Sequence, residues 1–213
     1  MKQFREFIRE GISTDTKELT ELLVDTVYSH YIDEHDKNSI ECVGWLDGTE
    51  NAQLRFQKIY EAGIDEKDSV LDVGCGVAHL HTFLSNQGWS GKYLGFDPNK
   101  KAIDLVDEEI STVHGMIEDL DKETKWDWVI ANGVFNLGLK KENTLWIIEN
   151  MISHANKGII FNMLLAPYED ERYEAYSPNW VNFKLRKYDH KKIEIVEDYM
   201  LNDAEFTVYF YKV

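Results

Sequence analysis

The chain has 213 residues, of which 39 are acidic and 23 basic, for a formal net charge of −16. That length fits one domain around an ordinary core. The acidity tells against nucleic acid as a substrate, because such affinity rests on neutralising phosphates, and the only basic clusters are short pairs such as Lys100-Lys101 and Lys140-Lys141. Cys42 and Cys75 read as free thiols in a reducing cytosol. No C-x-x-C pair and no H-E-x-x-H pattern is present, so no metal centre is expected. The first residues lack the uninterrupted apolar core of a signal peptide, and no run approaches the roughly 20 apolar residues of a membrane span. A cytoplasmic protein is therefore expected.

Residues 1 to about 35 are charged and amphipathic. Phe4, Phe7 and Ile8 recur at helical spacing. Leu19, Leu22, Leu23, Val27 and Tyr28 do so again after the capping run Ser13-Thr14-Asp15-Thr16. Two helices are predicted, packed over the main domain as a lid or brace, or as part of a substrate site. Residues 36–50 read as a loop. Trp45 within it either anchors the loop in the core or closes over a flat ligand. A helix is then predicted over Asn51–Ala62, with Leu54, Phe56, Ile59 and Tyr60 on its apolar positions and Arg55 among its polar ones.

The most informative stretch follows. Ser69-Val70-Leu71-Asp72-Val73 is a short β-branched run, Gly74-Cys75-Gly76-Val77-Ala78 a glycine turn, and His79–Leu84 has helical spacing. Gly74 and Gly76 remove side chains where the backbone must turn sharply and lie against a ligand. The next helix offers free N–H groups there. A dinucleotide fold would place a small residue at position 79 for close helix–strand packing, and His79 is too large for it. The alternative without a ligand is a plain strand-to-helix turn. Lys92–Phe96 reads as the second strand, ending in Asp97 and Pro98. Asp97 lies about 20 residues past Gly76, the spacing at which a carboxylate meets a ribose diol. It also suits the N-terminus of the next helix, a role that needs no ligand.

A third short strand is predicted over residues 110–115, and a fourth over Lys125–Ala131, running into Asn132-Gly133-Val134-Phe135-Asn136. Here Asn and Gly also suit a strand-ending turn. Lys141–His154 reads as a helix and Lys157–Met163 as the fifth strand. Residues 164–190 are irregular and aromatic, including Tyr168, and leave a strand end where α/β sheets bind ligands. Lys192–Val196 and Glu205–Tyr211 predict a terminal antiparallel pair. Strands alternating with helices give an α/β sandwich with a mostly parallel sheet.

Asp72-Val73-Gly74-Cys75-Gly76-Val77-Ala78 resembles motif I of the class I S-adenosylmethionine-dependent methyltransferases, in which the motif is usually G-x-G-x-G. Ala78 is a departure that would add one methyl near the cofactor. The resemblance covers residues from about 50 to 213, leaving 1–49 as an N-terminal helical extension or lid. It implies a Rossmann-like three-layer sandwich, a seven-stranded sheet with an antiparallel C-terminal strand, and S-adenosyl-L-methionine as cofactor. By the same resemblance the turn at Asp72, Gly74, Cys75 and Gly76 passes the methionine and ribose portions. Asp97 and Pro98 lie at the ribose, Arg55 meets the methionine carboxylate, and Ile117 and Glu118 flank adenine. Met116 stands where many relatives carry an adenine-binding Asp. Asn132, Gly133 and Val134 line the reactive end. Trp45, Phe135, Asn136 and Tyr168 are the substrate-side candidates, and no residue is assigned as catalyst. The motif after the fourth strand lacks Asn/Asp-Pro-Pro-Tyr and Pro-Cys, which sets aside the amino-group DNA and C5-pyrimidine chemistries. The segment Gly44-Trp45 to Arg55-Phe56, with Asp198-Tyr199 and Phe206–Tyr209, is similar to a group of bacterial and phage members. The implied reaction is methyl transfer to O or N of a small molecule or protein side chain. A non-catalytic cofactor-binding subunit and a nucleic acid methyltransferase are the alternatives.

Overall fold

A computed structural model describes residue 25 and residues 28–136, 141–167, 173–201 and 204–213. Residues 28–34 are helical, and Ile40–Val43 form a 3-10 turn ended by Gly44 at φ 80°. The elements that follow are α1 (Thr49–Glu61), β1 (Val70–Val73), α2 (His79–Asn86), β2 (Tyr93–Asp97), α3 (Lys100–Leu105) and β3 (Thr112–His114). After a 3-10 turn at Ile117–Asp119 come β4 (Trp126–Ala131), α4 (Lys141–His154), β5 (Ala155–Leu164), α5 (Pro178–Leu185), β6 (Lys192–Val196) and β7 (Glu205–Tyr211). The rest of the N-terminal helices expected from the sequence lies outside the described residues, as does Tyr168.

The strands form one seven-stranded sheet in the order β3-β2-β1-β4-β5-β7-β6. All neighbours are parallel except β7, which runs antiparallel to both β5 and β6. The central strands are mostly apolar and mostly buried because both sheet faces are covered. Their alternation sorts side chains into two cores. Leu71, Val73, Val129 and Ala131 pack with Ile147, Ile148 and Met151 of α4. Val70, Trp128 and Ile130 pack with Ala52, Phe56 and Ile59 of α1 and Leu80, Phe83 and Leu84 of α2. Helix, sheet and helix thus make the three layers.

The parallel register sets the site. Val73 pairs with Phe96 on one side and with Ala131 on the other, so the carboxyl ends of β1, β2 and β4 finish together. α3 is capped by Asn99, whose side chain accepts from the Ala102 N–H. The irregular segment expected over 164–190 contains α5, with Pro178 in its first turn and Val181 and Leu185 buried. Two apolar anchors among Asn, Lys and Trp gave little helical periodicity to read.

Candidate functional site

Beyond the carboxyl ends of β1, β2 and β4 the backbone turns away at Gly74, Gly76 and Gly133, all in the left-handed region at φ 72°, 54° and 77°. A Cβ on Gly74 would lie 2.6 Å from Val134 Cγ2, and one on Gly76 2.7 Å from Val43 Cγ1. Both positions therefore exclude a side chain by space as well as by dihedral angle. The Gly74 and Cys75 N–H groups donate to the Phe96 carbonyl, at 2.7 and 3.0 Å. The Gly76 N–H donates to Asp97 Oδ2 at 2.8 Å, while Asp97 Oδ1 accepts from the Asn99 N–H at 2.7 Å. The glycine turn and the acid closing β2 thus face one another directly. They share a cleft of about 1140 Å³, open mouth included.

Most of the sequence-predicted residues come together there. Asp72, Gly74, Cys75, Gly76, Asp97 and Pro98 line the cleft at its centre. Ile117 lies on the β3 side, and Asn132, Gly133, Val134 and Trp45 lie on the β4 side. Trp45 anchors its loop in the core and also borders the cleft. Its ring packs 5.5 Å from that of Phe56, and it also lines the cleft over Gly133.

Five expectations need revision. Arg55 is 5 % exposed and faces two carboxylates instead of the cleft. Its Nε and Nη2 donate to Glu205 at 2.9 and 2.7 Å, and its Nη1 and Nη2 to Asp47 at 3.1 and 2.7 Å. A guanidinium already held bidentately on both sides has little left for a cofactor carboxylate. Phe135 is fully buried edge-on against Phe161, in the core under α4. Asn136 is used within the chain: its Oδ1 accepts from the Leu164 N–H and its carbonyl from the Glu174 N–H. The methyl of Ala78 enters the α1–α2 core and does not line the cleft, with the residue held at φ 63°. Glu118 lies beside Ile117 on the 3-10 turn but is not a lining residue.

Several lining residues were not foreseen. Tyr28 and Ile32 come from helix 28–34, Cys42 and Val43 from the turn after it, and Phe56 from α1. The helix is fastened to α3 by Ser29, which accepts from Asn99 Nδ2 at 3.1 Å, and by Asp33 with Lys101 at 2.7 Å. Nothing local in the sequence marks such a contact. Met116 lines the cleft as well, offering a thioether where the expected relative would offer a carboxylate.

The electrostatics of the cleft are set mainly by burial. Burial pushes the Asp72 carboxyl up to about 7, against the pull of a hydrogen bond donated by the Tyr93 hydroxyl at 2.8 Å. Burial likewise raises Asp97 to about 6, opposed by its two backbone donors. The Cys75 thiol is driven well up by burial and Cys42 to about 11, so both are protonated. Burial lowers His79, which favours its neutral form. No Lys or Arg is among the described residues that line the cleft. Among the described residues no cluster of His, Cys, Asp and Glu could hold a metal.

A family model described as a methyltransferase domain matches residues 64–165, the stretch from just before β1 to the end of β5. This stretch is a methyltransferase domain, and the matches support one of the class I S-adenosylmethionine-dependent kind. Among curated proteins, this methyltransferase is 24% identical over 155 residues to the methyltransferase candidate Rv1506c of Mycobacterium tuberculosis, covering 66% of this chain and 90% of that one. It is 25% identical over 154 residues to the methyltransferase candidate 235L of Invertebrate iridescent virus 6. There the match takes in 68% of this chain but only 54% of the viral protein, about half its length. Among solved structures, the 1,6-didemethyltoxoflavin-N1-methyltransferase of Burkholderia thailandensis, bound to its substrate and S-adenosylhomocysteine, superposes with a TM-score of 0.69. The identity is 14%, with 95% of this chain and 93% of that chain covered, and the likeness is one of fold.

Proposed function

We propose that this methyltransferase transfers a methyl group from S-adenosyl-L-methionine to an oxygen or nitrogen of a small molecule or a protein side chain. The observation that carries the reading is the facing pair of Gly76 and Asp97 at the centre of the cleft. A bare backbone turn beside a buried carboxylate suits a ribose diol. Each Asp97 oxygen accepts one backbone N–H and keeps a further lone pair.

Bound S-adenosylmethionine supplies an electrophilic methyl group and a neutral leaving thioether, so the chain's task is alignment and exclusion of water. Asp97 holds the ribose, and Ile117 with Met116 supports the adenine. Asn132, Gly133 and Val134 form the reactive wall, with Trp45 over it. Residues 28–48 act as a cover on a domain that begins near residue 50. The net charge of −16, and the lack of Lys or Arg among the described lining residues, favour a neutral or cationic acceptor over nucleic acid. Cys42 and Cys75, both buried and free, fit a reducing cytoplasm. No helix among the described residues is long and apolar enough to cross a membrane.

Calorimetric titration with S-adenosylmethionine, S-adenosylhomocysteine and NAD tests the reading. The two adenosyl ligands are expected to bind and NAD is not; binding of NAD alone overturns the proposal. Asp97→Ala is expected to cost about 1–3 kcal/mol of adenosyl affinity, the value of hydrogen bonds to an ionised group. An unchanged dissociation constant removes Asp97 from the site.

A further inference from the structure

Arg55 does not line the cleft, yet it holds one corner of it from two directions. The first path runs through the loop before α1, whose residues 44–48 form no helix or strand. Arg55 Nη1 donates to Asp47 Oδ1 at 3.1 Å and Nη2 to Asp47 Oδ2 at 2.7 Å. The Asp47 carbonyl accepts from Asn51 Nδ2 at 3.1 Å, so the loop is fastened to α1 at this residue. Two positions earlier, the Trp45 ring lies against the same guanidinium, its centre 4.9 Å from the guanidinium carbon. The indole so held sits on Gly133, with Nε1 2.9 Å from where a Cβ would stand.

The second path runs through the sheet. Arg55 Nε and Nη2 donate to Glu205, whose Oε2 also accepts from Asn162 Nδ2 at 2.9 Å. Asn162 Oδ1 in turn accepts the Gly133 N–H at 2.6 Å. The two paths close into a ring: one fixes the Gly133 backbone, the other fixes the indole resting on it. Arg55 is 5% exposed and Glu205 2%, so the bonds lie in a medium that strengthens them. A planar guanidinium can grip two carboxylates and a ring in fixed directions, which an ammonium cannot.

We propose that Arg55 is a positioning residue: it sets the Trp45 indole against the Gly133 turn and so shapes the reactive end of the cleft without touching a ligand. The proposal rests on the methyltransferase reading above. It differs from a purely structural clamp because ligand affinity then depends on the loop path, which contributes little to the core.

Asp47→Ala cuts that path alone. The Asp47 side chain is 24% exposed, and Arg55 keeps Glu205. The protein is labelled with 5-fluorotryptophan for fluorine NMR, and Trp45→Leu identifies the Trp45 signal among the six tryptophans. Each form is titrated with S-adenosylhomocysteine by calorimetry, and its thermal midpoint is measured. In Asp47→Ala the Trp45 signal is expected to shift or broaden while the others stay. Affinity for S-adenosylhomocysteine should fall about fivefold or more, with the midpoint within a few degrees of wild type. In the Trp45→Leu background, Asp47→Ala should cost no further affinity, because the indole through which it acts is gone. A Trp45 signal unmoved by Asp47→Ala, an affinity equal to that of wild type, or the same loss in the Trp45→Leu background overturns the proposal. Should Asp47→Ala not fold, Asp47→Asn, which keeps an oxygen for the guanidinium, is read by the same criteria. A wild type that binds no S-adenosylhomocysteine overturns the methyltransferase reading and the proposal with it.

Discussion

Two buried carboxyls stand beside the glycine turn, and burial holds each above the ordinary carboxylate range, Asp72 at about 7 and Asp97 at about 6. In the unfolded chain such groups titrate near about 4. Between these values the folded protein carries protons that the unfolded chain has lost. Stability from these groups therefore falls as pH rises from about 4 to about 7 and is level above that. His79 and His81, lowered by burial, give the opposite slope in part of this window, so the measurement must be a difference. Asp72→Asn keeps an oxygen for the Tyr93 hydroxyl and removes the titration. The variant is expected to gain stability over wild type steadily from pH 5 to 7 in urea denaturation. A difference independent of pH would mean that Asp72 titrates normally. The cluster around Asp72 was readable only in part. Asp72, Gly74, Gly76 and Asp97 sit at spacings that betray a shared turn, whereas the Tyr93 partner follows from the parallel register of β1 and β2.

At the scale of elements, α1 is joined to the far end of the sequence. Arg55 reaches Glu205 at the start of β7, 150 residues away, and Asp47 in the loop before α1. Its guanidinium also lies 4.9 Å from the centre of the Trp45 ring. One side chain thereby ties the outer strand pair, the α1 layer and the loop over the cleft. Arg55→Met is expected to destabilise the protein by about 3–5 kcal/mol, because it leaves the buried Glu205 carboxylate unpaired. Adding Glu205→Gln should recover a large part of that loss, since a neutral amide needs no counter-ion. Denaturant midpoints of the two variants test this, and a double variant no better than the single one would show that packing of the Arg stem dominates. The helix carrying Arg55 was plain from its apolar spacing. Its partner was not, because no local pattern links a helix residue to a strand end so far along the chain. Phe135 and Asn136 were misplaced for a related reason. The strand end pointed to the cleft, but past Val134 the chain descends into the core.

At the scale of the whole molecule, the mostly parallel sheet was legible because alternating strands and helices leave few ways to wind one, and the terminal pair marked its antiparallel end, whereas the strand order came only with the structure. The N-terminal helix over the domain was legible in part: helix 28–34 and the turn at Ile40–Val43 do line the cleft, but the exposed pairs that fasten them, such as Lys101–Asp33 and Lys37–Asp107, follow no local pattern. Those pairs are largely solvent-exposed and individually worth little. The balance of charge sets the larger effect. Of 39 acidic side chains, 16 have no basic residue to match them, so the folded chain repels itself at low salt. Raising ionic strength from about 10 to about 150 mM shortens the screening length from about 30 to about 8 Å. That weakens the repulsion spread over the surface together with the few exposed pairs. Repulsion among many separated acids extends over distances that the lower salt leaves unscreened, whereas the pairs are in contact and less sensitive. The thermal midpoint should therefore rise with sodium chloride, by a few degrees for each kcal/mol relieved in a domain of this size. A midpoint that fell over the same range would mean that the contact pairs, including those fastening the cover, outweigh the net charge.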